Sequence, residues 1–138
     1  MTARPRLRVG TDLVRVEQVG ESMQLHGERF LRRIFTDGEV AYAMSSPPQA
    51  LPRLAARFAA KEAVRKLLRV DRHGVGWREV EVRRLASGAC DIVLHGAAAA
   101  LALACGFGDI ALSMSHEGDY ATAVVVTWTE NVGDDEPT

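Results

Sequence analysis

The stretch LAARFAAKEAVRKLLRV, residues 54–70, constrains this chain more than any other. It is dense in alanine and free of glycine, and it follows Pro52, so it predicts one long helix from about Pro52 to Leu68. Ala56, Ala59, Ala60 and Ala63 form a side of that helix small enough for a neighbouring element to approach closely. Phe58, Leu51 and Leu54 share the broad sector that holds Glu62, so Glu62 does not sit on a fully solvated face. A carboxylate on a helix packed on most sides needs a cation or hydrogen-bond donors to be tolerated. Lys66, one turn on, is one such cation; a metal ion shared with a second acid is the other.

The remaining elements follow from local signals. RLRVGTDLVRV, residues 6–16, alternates with Leu7, Val9 and Leu13 on one face and reads as a strand. EQVGESMQLHGERFLRRIF reads as one or two short helices broken near Gly27, and Thr36, Asp37 and Glu39 as the capped start of another. SSPPQALP is a connector, because Pro47, Pro48 and Pro52 cannot sit in a helix interior. After a turn marked by Gly74 and Gly76, REVEVRRL and CDIVLH read as strands joined by the hairpin turn ASGA. GAAAALALACG is expected to be a buried helix ending at Gly106, and DIALSMSH and DYATAVVVTWT two last strands turning around Gly118. Runs of helix and antiparallel strand in separate blocks indicate an α+β fold, an antiparallel sheet packed with one long and several short helices. One domain over residues 1–129 and a frayed acidic tail over 130–138 complete the expected organisation.

Composition removes several classes. Hydrophobic residues make up 47% and charged residues 25% of the 138, which suits a soluble globular domain. A net charge of -1 gives no global basic field, so nucleic acid is not an expected partner. Cys90 and Cys105 are too few and too widely spaced for a metal knuckle or a disulfide framework, and are read as free, mostly buried thiols of a reducing compartment. No apolar h-region opens the chain, and AAAALALACGF is too short to span a bilayer, so the expected location is the cytoplasm with no membrane contact.

Three places carry chemistry. Asp12 lies in a strand, where aspartate is disfavoured. It reads either as a solvent-facing residue or, with Glu62, as half of a magnesium site whose other ligands are water and substrate phosphates. SMSHEGDY, residues 113–120, offers Ser/His nucleophilic chemistry or a histidine cation for a phosphate. No GxxxxGK[ST] or GxGxxG loop is present to cradle phosphates by backbone.

Taken in order, VGTDLVRVEQV, RFLRRIFTDGEVAY, RLAARFAAKEAVRKLL, LHGAAAALA and LSMSHEGDYATAVVV resemble the holo-[acyl-carrier-protein] synthases. These are the small, stand-alone 4′-phosphopantetheinyl transferases, and the resemblance runs from about Arg8 to Val126. It implies transfer of the 4′-phosphopantetheine arm of coenzyme A to a serine of an apo-acyl carrier protein, with adenosine 3′,5′-bisphosphate as the other product. It also implies the phosphopantetheinyl transferase fold, Mg²⁺ held at the positions of Asp12 and Glu62, and a homotrimer with active sites at subunit interfaces. By the same resemblance Glu62 and Lys66 are the catalytic positions. Arg57, Lys61, Lys66 and His116 match positions that meet coenzyme A phosphates. An acidic carrier needs a basic landing surface, and Arg15, Arg29, Arg32 and Arg33 are the candidates.

The chain departs from the family pattern in places. Glu17-Gln18 stands where Glu-Arg is common, LRVDRHGVG replaces a Gly-Thr-Gly turn after the long helix, and Glu117 sets a negative charge beside His116. The altered turn leaves a rival reading open, a non-catalytic module that binds coenzyme A or a carrier protein.

Overall fold

The structure, a computed structural model, describes residues 5–69 and 74–130. The expected acidic tail, apart from Glu130, and part of the LRVDRHGVG turn lie outside the described residues. Strand β1 (Arg6–Arg15) leads directly into helix α1 (Val16–His26), and α2 (Glu28–Ile34) follows after Gly27. Gly27 adopts φ 55°, a left-handed backbone that glycine enters without steric penalty, and this separates the two helices. Helix α3 (Asp37–Met44) begins with a full capping box: Thr36 Oγ1 accepts from the Glu39 N–H and Glu39 accepts from the Thr36 N–H.

Helix α4 spans Ala50–Leu68, two residues earlier than expected, because a 3₁₀ turn over Pro47–Gln49 feeds it directly. Pro52 is accommodated in the first turn, where a missing N–H leaves no hydrogen bond unmade. A second 3₁₀ turn, Trp77–Glu79, precedes β2 (Val80–Arg84), which pairs antiparallel with β3 (Cys90–Leu94). Then come α5 (Gly96–Ala104), β4 (Ala111–Glu117) and β5 (Tyr120–Thr129). Among the described residues the strands form two antiparallel sheets, one ordered β1-β5-β4 and one of β2-β3. The α+β expectation holds, with two sheets rather than one.

Helix α4 is the centre of the molecule. Leu54, Ala55, Ala59, Ala60, Ala63 and Val64 are fully enclosed, and β1 and β5 lie across the alanine side. The closest approach is at Gly10, where an added Cβ would stand 2.3 Å from the Ala63 carbonyl oxygen. Any side chain at position 10 would push the strand off the helix.

Burial departs from apolarity in two places, and at the second an expectation is reversed. The apolar face of β1 turns away from α4: Leu7, Val9 and Leu13 are 79%, 68% and 65% exposed, while Gly10, Asp12 and Val14 face the helix. Val124 and Trp128 of β5 extend this exposed apolar face. Helix α5 is buried only at Ala98 and Ala102, and Leu103 is open to solvent, so uniform apolarity did not enclose it. Among the described residues no helix is long and apolar enough to cross a membrane.

Candidate active site

The Gly10–Ala63 contact sets the site. Because side chains on a strand alternate, Asp12 projects on the same face as Gly10 and therefore against α4. There Lys66 Nζ lies 3.0 Å from Asp12 Oδ1 and donates to the Thr11 carbonyl at 3.0 Å. Glu62, one turn before Lys66, is partly buried in the same place. Burial, and then the neighbouring Asp12 carboxylate, holds its carboxyl above the usual range near 4.5, with Arg65 and Lys66 pulling the other way. Asp12, Glu62 and Lys66, expected to act together, are thus brought together by the fold. The solvent-facing reading of Asp12 fails, since its side chain is only 16% exposed.

Arg65 anchors what comes after the helix. It donates to the Val75 carbonyl at 2.7 Å and lies over the Trp77 ring, which is stacked on Phe58. Helix α4 itself ends on Arg69, in the left-handed conformation usually taken by glycine.

Lys61 has a different place from the one expected. Its side chain is fully enclosed, with Nζ 2.8 Å from Glu39 Oε1 and donating to the carbonyls of Trp77 and Val80. Glu39 in turn accepts from the Val82 N–H at 2.8 Å as well as from Thr36. Burial pushes the Lys61 ammonium below its ordinary pKa and Glu39 counteracts it. The expectation that Lys61 meets a coenzyme A phosphate is therefore corrected: its donors are spent inside the protein, tying α4 to α3 and β2.

Arg57 and His116 do converge. They line a groove of about 500 Å³ together with Arg53, Arg84, Tyr42 and Cys90. Three guanidiniums surround the Tyr42 ring, with Arg53, Arg57 and Arg84 at 4.3, 4.5 and 5.1 Å from its centroid. Arg57 is 4% exposed, and its Nε has no hydrogen-bond partner. Arg53 and Arg84 were missed by sequence reasoning. One signal was legible: Arg53 and Arg57 are like charges one turn apart with no acid at helical spacing, an arrangement that repels unless an anion joins it. Arg84 enters only through the β2–β3 hairpin. The Ser/His alternative does not survive, because Ser115 and His116 are consecutive on β4 and point to opposite faces.

The carrier candidates divide. Arg29 and Arg33 line a groove of about 290 Å³ with His26 and Phe30. Arg32 is paired with Glu28 at 3.4 Å, and Arg15 lies near the Tyr120 ring.

A family profile described as the 4′-phosphopantetheinyl transferase superfamily matches residues 8–125. A holo-[acyl-carrier-protein] synthase of Gloeobacter violaceus is 45% identical over 118 residues, covering 86% of this chain and 89% of its own. One from Solibacter usitatus is 41% identical, covering 85% and 94%. Among solved structures, apo-ACPS of Chronobacterium ammoniagenes superposes with a TM-score of 0.81 at 32% identity, over 93% of this chain and all of the other. The ACPS–CoA complex from the same organism gives 0.77 at 32% identity, over 88% and 96%. With the ordered motifs, the fold and the relatives in agreement, this chain belongs to the holo-[acyl-carrier-protein] synthases, transferases of the 4′-phosphopantetheinyl transferase superfamily.

Proposed function

We propose that this chain transfers the 4′-phosphopantetheine group of coenzyme A to a serine of an apo-acyl carrier protein, with Mg²⁺, and releases adenosine 3′,5′-bisphosphate. The observation that carries the proposal is the convergence of Asp12, Glu62 and Lys66 at the point where β1 touches α4. The serine oxygen attacks the β-phosphorus of the pyrophosphate, a new P–O bond forms, and the nucleotide leaves with the bridging oxygen. Charge spreads over the phosphoryl oxygens, so positioning and electrostatics do most of the work. Lys66, 57% exposed, is a mobile cation for the leaving phosphate. The serine proton passes to Glu62 or to a water that Glu62 holds.

The residues fit magnesium. Asp12 and Glu62 supply two carboxylates, and among the described residues no third His, Cys, Asp or Glu joins a cluster with them. A hard ion that keeps waters and takes phosphate oxygens as further ligands suits that donor set. When bound, the ion neutralises charge on the pyrophosphate.

The arginine groove supports a composite site. Arg53 and Glu62 are about 180° apart around α4, and Arg57 and Glu62 about 140°. In one protomer the basic groove and the acidic pair thus lie on different sides of the helix, so a second copy brings them to one ligand most directly. The exposed apolar face of β1 and β5 is the surface for such an assembly, and a homotrimer accounts for it. Arg57, Arg53, Arg84 and His116 of a neighbouring copy then receive the phosphates of coenzyme A. Arg29 and Arg33 form the landing surface for an acidic carrier. Arg33→Glu should raise the KM for carrier about tenfold with kcat little changed, and added salt should mimic it; an unchanged KM at low salt would remove that surface from the proposal.

The decisive experiment is incubation of apo-carrier with coenzyme A and Mg²⁺, read by mass spectrometry. The expected result is gain of one phosphopantetheine by the carrier, with loss of that gain in Glu62→Gln. A carrier of unchanged mass, with coenzyme A still bound by the protein, would leave a binding module instead.

A further inference from the structure

Cys90 stands inside the arginine groove, and the proposed transfer assigns it no part. It opens β3, is half-buried with a free thiol, and its Sγ lies 3.9 Å from Arg57 Nη2. Arg53, Arg84 and His116 line the same groove. Among the described residues no carboxylate makes an ion pair with Arg53, Arg57 or Arg84: Glu39 is held by Lys61, and Glu81 by His95 and Thr36. Arg57 is almost fully buried, with Nη1 donating to the Arg53 carbonyl at 3.3 Å and Nε unpartnered. The groove it shares with Arg53 and Arg84 is lined, among the described residues, by three guanidiniums and no carboxylate, a setting that favours an anion. Cys105 is the internal contrast. It is also free and half-buried, but its thiol makes no hydrogen bond to a cationic side chain among the described residues.

We propose that Cys90 is a modification site for small anionic disulfides, whose carboxylates or phosphates are held by Arg53, Arg84 and His116 while the Cys90 sulfur undergoes exchange. This rests on the reading of the groove as an anion site. Cys90 gives its proton to solvent, and its sulfur displaces one half of the disulfide as a thiolate, which then takes up a proton. One S–S bond forms as one breaks, and the oxidising equivalent comes from the disulfide. The guanidinium of Arg57 faces the charge that builds on the sulfur. The attached group then fills the groove and excludes the nucleotide.

The test is incubation of the full chain at neutral pH and low salt with oxidised glutathione, an anionic disulfide, and separately with cystamine, a cationic one. Peptide mass mapping follows the rate at each cysteine. Electrostatic steering predicts glutathionylation of Cys90 about tenfold faster than of Cys105. That preference should disappear with cystamine and in the Arg53→Gln/Arg84→Gln double variant, and should shrink when adenosine 3′,5′-bisphosphate is added. Equal rates at the two cysteines, or the same preference for cystamine, would overturn the site. Carrier transfer is assayed separately, so its failure would strike the proposed function and leave this thiol site standing.

Discussion

Lys61 and Lys66 lie five residues apart on one helix, and both are expected from the sequence to meet phosphates. The fold separates them. Lys61 is fully enclosed and paired with Glu39, whereas Lys66 is more than half exposed and reaches Asp12. About 140° of helical rotation sends one toward α3 and β2 and the other toward β1. A lysine can be spent on architecture or kept for a ligand, and the decision lies with what packs opposite, not with the motif it belongs to. The enclosed pair is retained although charge burial is costly, because Lys61 and Glu39 also satisfy backbone groups of β2 and of the α3 cap.

That contrast is open to direct attack. Lys61→Met leaves Glu39 buried without its cation and should cost about 3–5 kcal/mol of unfolding free energy by urea titration. Lys66→Met should leave the urea midpoint nearly unmoved and lower kcat about 10²-fold. Equal stability losses in the two variants would break the distinction. A second test asks whether the acidic and basic sides of α4 meet across subunits. Glu62→Gln and Arg57→Ala, each inactive alone, should recover about a quarter of the wild-type rate when co-expressed, the share of sites with both intact residues if subunits mix at random. No recovery would place the whole site within one protomer.

The smallest effect concerns Glu62 itself. Its carboxyl is held above the ordinary range, so between the usual pKa and the raised one the folded protein binds more protons than the unfolded chain. Stability contributed by that proton is fully present at low pH and is lost as pH rises through the folded-state value. Glu62→Gln without metal should therefore raise Tm slightly at pH 8 and leave it unchanged at pH 4. A Tm gain of the same size at both would show that the charge of Glu62 is not strained in the fold.

Much of this was readable in advance. The alanine run announced α4, Thr36 and Glu39 announced the cap of α3, and Asp12 and Glu62 stood out as acids in settings that disfavour them. What was not readable has one origin. The apolar alternation of β1 marks one apolar face of a strand, and local pattern does not say whether the core covers it. Glu39 read as a capping residue, and nothing nearby in the chain showed that its second oxygen serves the Val82 N–H while its first meets Lys61.

Element type and boundary follow from chemistry within a few residues: propensity, capping, the φ restriction of proline and the freedom of glycine. Those signals are local and are written in the chain. Which cation is enclosed, which carboxylates meet and which arginines share a groove depend on contacts between residues far apart in number. Gly10 against Ala63 is the clearest case. The missing side chain is visible at once, but only the packed strand and helix reveal that its absence is what brings Asp12 to Lys66.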